Sequence, residues 1–315
     1  MKQLSKEVYE QIRTWVYRHA RHVELTWWQY YFENGSREAA VEALGFFQNE
    51  DGGFGNGLEP DCSNPNSSPA TTVMAYERLK SLDCIQKDHP MIQGIIRFIE
   101  HSEYFTEHGW YWSIPSNNNY PCQPWYLFPN APWFPKDWPA ENYVCGDLFR
   151  FVLKYFDKEH EIYQKTLRAI EYRLSHMEKF SEFCAFTNEW NQEDIEANDW
   201  VSLIEALEES GIKSADECHR LASEFLKIVD EAALPEIRTQ IRKRIEKSEI
   251  TEAELDAIVD RLSAGNGWNT DGLWGDTPDE KKDLICSVGG VCFPIIGAIE
   301  ELKKLQEHGR LEIEK

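Results

Sequence analysis

The chain has 315 residues, 42% of them hydrophobic and 28% charged, and it carries a formal net charge of −22 at neutral pH. This is the composition of a folded globular protein, of a length within reach of one large domain with a substantial core. Such a charge repels phosphate backbones and anionic lipid, and no apolar run approaches the roughly 20 residues needed to span a bilayer, so nucleic acid and a membrane span are excluded as expectations.

The first residues, MKQLSKEVYEQIRTWVYRHA, lack the apolar block and cleavage site of a signal peptide, and a cytoplasmic protein is expected. Val8, Ile12, Trp15 and Val16 recur at helical spacing and form one stripe. A basic turn with Arg18, His19, Arg21 and His22 follows. Trp27, Trp28, Tyr30, Tyr31 and Phe32 then point around a helix rather than along one face and read as core packing. After Phe47 comes a connector, Gln48-Asn49-Glu50-Asp51-Gly52-Gly53-Phe54, and further on Ser68-Pro69 opens a helix as N-cap and first helical residue.

Helical stripes return at Ile92, Ile95, Ile96 and Ile99, then at Val144, Leu148, Phe151, Val152 and Tyr155. They continue at Leu167, Ile170 and Leu174, at Trp200, Leu203, Ile204 and Leu207, at Leu221, Phe225, Ile228 and Val229, and at Leu255, Ile258, Val259 and Leu262. The run from Asp216 to Glu254 alternates charges at helical intervals and reads as a solvated face. Pro294 is expected to open the last helix, which carries Ile295, Ile299, Leu302 and Leu305 on one side. No alternating strand pattern interrupts the series, and roughly ten to twelve helices, or five to six hairpins, are expected.

One connector repeats. Trp268-Asn269-Thr270-Asp271-Gly272-Leu273-Trp274 again places Asp-Gly, one spacer and an aromatic ring in a turn, and His108-Gly109-Trp110-Tyr111 keeps the glycine and the ring without the acid. A repeated helix, turn, helix unit follows, since each hairpin buries its stripe only against its neighbours. Gln48, Asp51, Gly52, Gly53, Phe54, Asp271, Gly272 and Trp274 are its turn residues: glycine permits the tight bend, the acid and amide cap helix ends, and the ring packs over the connection.

Gln48 to Phe54 resembles the Q-x-x-D-G-x-aromatic repeat of squalene and oxidosqualene cyclases and of protein prenyltransferase β-subunits, the terpenoid cyclase/prenyltransferase superfamily. The resemblance covers residues around 46 to 76, with a partial echo at 266 to 274. It implies an all-α fold, an α/α toroid ring of five to six hairpins, as a single domain over residues 1–315. The superfamily's catalytic signatures are absent. There is no D-x-D-D run, Asp61-Cys62 has the wrong spacing for the prenyltransferase zinc site, and Asn198, Asp199 and Ser202 match part of a magnesium motif in which Ala206 replaces the glutamate. The eight cysteines contain no CxxC pair and the nine histidines no HxxxH or HExxH spacing, so reduced thiols, no metal and no cofactor are expected.

Two candidate site elements remain. The segment Gly57-Leu58-Glu59-Pro60-Asp61-Cys62-Ser63 holds two carboxylates on a stiff loop. Either one of Glu59 and Asp61 is kept protonated by burial and donates a proton while the other stays ionised, or both merely satisfy amides before the helix at Ser68. Between Trp110 and Pro139 lie five of the 12 tryptophans and seven of the 14 prolines. Rings at this density bury against the barrel rim, a ligand or both, and Trp110, Trp112, Tyr120, Trp125 and Trp133 are the candidate binding residues. Aromatic faces suit an isoprenoid and a sugar equally. The expectation is therefore a prenyltransferase- or cyclase-like protein with a cavity for a hydrophobic small molecule. A carbohydrate-active α/α barrel and a non-catalytic binding module are its rivals. Hairpins bring successive connectors to one end of the ring, so the loop after Asp51 and the aromatic loop after Gly109 should be neighbours.

Overall fold

The computed structural model describes residues 1–129, 145–187, 193–266, 268 and 280–311. Among these residues there are thirteen α-helices and two short 3-10 helices, and β-structure is limited to isolated bridges. The helices are α1 Lys6–His19, α2 His22–Phe32, α3 Arg37–Gly45, α4 Pro69–Ser81, α5 Pro90–His101, α6 Cys145–Tyr155 and α7 Glu161–Leu174. They continue with α8 Lys179–Thr187, α9 Glu193–Glu209, α10 Ala215–Ala232, α11 Pro235–Ile245, α12 Glu252–Ser263 and α13 Glu280–Glu307. Of the connectors read from sequence, that at Asp271, Gly272 and Trp274 lies outside the described residues, as does Val144.

Local chemistry explains the starts. Ser5, Ser36, Ser68, Ser214 and Thr251 each accept an amide of the following first turn, a contribution of about 1 kcal/mol apiece. Ser68 caps α4 with Pro69 at the first helical position, as its spacing predicts. Ser214 with Glu217, and Thr251 with Glu254, close full capping boxes. The charged run from Asp216 to Glu254 is divided among α10, α11 and the start of α12. Pro235 starts α11 afresh, and Cys218, Ala222, Phe225, Val229, Ile237 and Ile241 face the core.

Pro294 does not open the last helix; it lies inside α13. Leu284, Ile285, Val288 and Val291 already keep helical spacing before it, and Ile295, Ile299, Leu302 and Leu305 are all fully buried after it. A proline costs a helix interior about 3 kcal/mol, which burial of apolar residues along so long a helix exceeds.

Among the described residues, most of the buried apolar side chains belong to one cluster that runs from Leu4 to Leu311. Trp27, Trp28 and Phe32 of α2 are in it, with Tyr9 of α1 stacked on Trp28 at 5.6 Å, so the aromatic run packs the core as expected. The largest helix contact is between α6 and α9, where a side chain on Gly146 would meet the Asp199 carbonyl at 2.3 Å, and only glycine lets the two backbones approach this closely. Helix α13 packs on α1, α2 and α12. Buried Arg310 donates to the Lys2 carbonyl and pairs with Asp256 at 3.0 Å and with Glu252, while Leu4 N donates to Arg310 O at 2.9 Å. The two ends of the chain are thereby fastened together. No helix of the described residues is long and apolar enough to cross a membrane.

Candidate functional site

The Gln48 to Phe54 connector is a staple between loops. Gln48 Nε2 donates to the Gly52 carbonyl at 2.9 Å and to the Met91 carbonyl of α5 at 3.1 Å. Asp51 Oδ1 accepts from Gly53 N at 2.9 Å and from Ser67 Oγ at 2.7 Å. The amide and the acid therefore tie the turn to the first turn of α5 and to the residues before α4 and do not cap helices as expected, because Gln48 donates to carbonyls and Asp51 accepts from its own turn and from Ser67, so neither side chain is left for the amides of a helix start. Phe54 is fully buried beneath the connection and donates its amide to Thr72 Oγ1.

Gly52 sits at φ +92°, and a methyl group there would lie 2.0 Å from the Gly94 carbonyl of α5. Gly52→Ala should therefore cost about 3 kcal/mol, from a left-handed backbone and a backbone clash together. Urea denaturation checks this against Gly57→Ala, whose added methyl meets nothing nearer than 3.9 Å. Equal midpoints for the two variants would show that the turn is not held rigidly.

This staple delivers the loop carrying Glu59 and Asp61 to the aromatic segment. Gln123 N donates to the Asp61 carbonyl at 2.8 Å and Ser63 N to the Pro121 carbonyl at 2.9 Å, making a one-residue antiparallel bridge between Cys62 and Cys122. Asn64 Nδ2 donates to Ser116 Oγ at 2.8 Å and to Asn117 Oδ1 at 2.7 Å. The loop after Asp51 and the loop after Gly109 are thus neighbours.

Glu59 and Asp61 are both buried. Glu59 Oε1 accepts the Asp61 amide at 3.2 Å, and its carboxyl is hydrogen-bonded to the Tyr126 hydroxyl. Burial pushes the Glu59 carboxyl above its usual range, against the opposing pull of the Asp61 amide, Tyr126, Arg21 and Arg78. Burial likewise raises the Tyr126 phenol, and the neighbouring Glu59, Asp61 and Cys62 raise it further. A carboxyl raised by burial and a phenol raised beside it are a pair of groups that hold their protons more tightly than they would in water.

Sequence reasoning missed the group that holds this loop. Arg21, at the start of α2, donates to the Gly57 carbonyl at 2.5 Å and the Leu58 carbonyl at 3.0 Å. Its other face forks onto buried Glu24 at 3.0 and 2.6 Å. The bidentate pair fixes the guanidinium, and the guanidinium fixes the backbone just before Glu59. The Arg21/Glu24 spacing on one helix turn was the available signal. Arg78 of α4 lies 3.8 Å over the Trp27 ring, and burial pulls its guanidinium below its usual value.

The candidate rings divide. Trp112 is half-buried and stacks on Tyr126 at 5.2 Å, which puts it at the acidic loop. Trp125 is half-buried against the core, next to Tyr126 in sequence. Trp110 is fully buried and stacks on Phe105 at 4.5 Å, which makes it a core residue of this region. Tyr120 is 39% exposed, on the surface and outside the buried cluster. Trp133 lies outside the described residues.

A second buried ionic cluster joins α7 and α9. Arg173 pairs with Asp199 at 3.0 Å and with Glu196 at 3.3 Å and lies 4.9 Å over the Trp200 ring, while Gly146 N donates to Asp199 at 2.7 Å. Burial pushes the Asp199 carboxyl up to about 7 in spite of Arg173. Asn198 and Ser202 turn instead to Arg244, at 2.6 and 2.9 Å, so the three residues that match part of a magnesium motif serve two separate ion-pair networks. Among the described residues no group of three or more His, Cys, Asp or Glu is placed to hold a metal ion.

Compared with known protein families, curated proteins and solved structures, the chain matches none.

Proposed function

We propose that the chain is an enzyme in which Glu59 is the general acid, carried on an α/α toroid of the kind found in terpenoid cyclases and protein prenyltransferases. In this reading the whole chain is one ring of hairpins. Support comes from the Gln48 to Phe54 motif lying in an interhelical turn and from the fastening of the two chain ends through Arg310. The observation that carries the catalytic reading is the buried Glu59, its carboxyl raised by burial, beside Tyr126 on a loop clamped by Arg21. Asp61 is the ionised partner, and Trp112 and Tyr126 supply the aromatic wall for a hydrophobic, isoprenoid-like small molecule in a cytoplasmic setting.

A second reading is favoured by the same carboxyl. Burial that raises a carboxyl also makes it a weaker acid, better matched to a departing glycosidic oxygen than to an alkene, and rings also stack on sugars. Native mass spectrometry of protein purified from its own cells separates the two: an apolar co-purifying molecule supports the first, a saccharide the second. A bare chain whose melting temperature responds to neither prenyl alcohols nor oligosaccharides would defeat both.

A further inference from the structure

The loops that meet at the candidate site do so through two cysteines. Cys62 and Cys122 face each other in an antiparallel bridge whose flanking hydrogen bonds, Ser63 N to Pro121 O and Gln123 N to Asp61 O, leave the two residues as a non-hydrogen-bonded pair. In that register the two Cα atoms stand about 4.5 Å apart with their side chains on the same side of the ladder. This separation lies within what a disulfide spans, about 4.4–6.8 Å, so a bond can form without moving the backbone. Both thiols are reduced and buried.

We infer that Cys62 and Cys122 form a reversible disulfide that fastens the Glu59–Asp61 loop to the aromatic loop and makes the candidate site sensitive to thiol oxidants. The oxidant is a low-molecular-weight disulfide such as oxidised glutathione. One protein thiolate attacks a glutathione sulfur and expels the first glutathione thiolate, leaving a mixed disulfide. The second protein thiolate then attacks the protein sulfur of that bond and expels the other glutathione. The protein loses two electrons and two protons, and two reduced glutathiones carry them away. The neighbouring Cys122 thiol, with burial, holds the Cys62 thiol above its usual range, which slows the attack without deciding the equilibrium.

The consequence for the site is local. In the reduced chain Cys62 Sγ donates to Asn117 Oδ1 at 3.6 Å and Cys122 Sγ to the Asn117 carbonyl at 3.5 Å. Oxidation removes both donors. It also closes a covalent loop of about 60 residues that contains α4 and α5, which restricts the unfolded chain.

The test uses the full-length chain, once reduced and once oxidised with diamide, equilibrated in glutathione buffers from fully reduced to fully oxidised. Samples are quenched in acid, alkylated in denaturant, weighed and mapped as peptides. The expected result from both directions is a chain that carries two alkyl groups fewer than the fully alkylated one and is lighter by about 2 Da besides, assigned to a linked Cys62–Cys122 peptide pair and absent from Cys62→Ser and Cys122→Ser. The oxidised chain should melt about 5 °C higher than the reduced one. Complete alkylation of both cysteines in the most oxidising buffer would overturn the inference, as would pairing scattered over the other cysteines.

Discussion

Replacing Arg173 with methionine should lower the stability of the protein by about 3–5 kcal/mol, as measured by urea denaturation at neutral pH. Arg173, Glu196 and Asp199 expose 6%, 7% and 0% of their side chains, so water screens none of the three. Methionine keeps the apolar stem against Trp200 but removes the one cation that two buried carboxylates share. Each carboxylate then either stays charged without a partner or takes up a proton, and both routes cost free energy. Exchanging the acids as well, in Arg173→Met/Glu196→Gln/Asp199→Asn, should recover much of the loss. A single variant as stable as the wild type would show that the cluster is wet, contrary to its burial.

The same cluster sets a pH dependence whose sign follows from Asp199. Its folded-state value, raised to about 7 by burial, lies above that of an unfolded aspartate, so the folded state binds a proton that the unfolded chain releases. The stability this proton confers is full below the unfolded value of about 4 and is lost as pH rises towards about 7. Wild type should therefore lose stability relative to Asp199→Asn between pH 4 and pH 7, because asparagine carries no such proton. A difference constant over that window would mean that Asp199 is ionised throughout. Gly146 N still has an oxygen to donate to in the asparagine variant, so the comparison isolates the charge.

Much of the helical layout was legible because period and punctuation are local. The stripes at Val8 to Val16, Ile92 to Ile99 and Leu255 to Leu262 each lie on one helix, and Ser68-Pro69 marks a helix start. The meeting of the loop after Asp51 with the loop after Gly109 was also legible, from the logic of successive hairpins. What holds them was not. Arg21 reaches Gly57 and Leu58 across 36 and 37 residues, and Glu59 meets Tyr126 across a longer span still; no periodicity encodes such pairs. Pro294 misled because proline usually begins a helix, whereas α13 gains enough from packing on α1, α2 and α12 to carry it inside. Asp199, whose match to part of a magnesium motif gave it no role, is a partner of Arg173, and only the α7–α9 contact reveals it. Trp110 and Tyr120 show that an aromatic-rich segment does not declare which rings pack and which face outward.

Exchanging Glu59 for glutamine should reduce turnover of the molecule identified by co-purification by about 10²–10⁴-fold while leaving the fold intact. Glutamine has the same size and keeps an oxygen for the Asp61 amide, which Glu59 Oε1 now accepts at 3.2 Å. It also keeps a partner for Tyr126, so what it removes is the transferable proton. Burial raises the Glu59 carboxyl, so the wild-type rate should fall as pH rises through that raised value, whereas the variant should show a low and flat profile. Stability moves the other way. As pH rises from the unfolded glutamate value through the raised folded value, the wild type loses the stabilisation of its extra proton, and the glutamine variant, having none to lose, gains on it. Asp61→Asn supplies the contrast: if Asp61 serves only the loop, that change costs about 1 kcal/mol and leaves the rate alone, and if it is the ionised partner, the rate falls at little cost in stability. Undiminished turnover in Glu59→Gln would reduce Glu59 to a member of the loop's hydrogen-bond network and move the search for the acid to Asp61 or Tyr126.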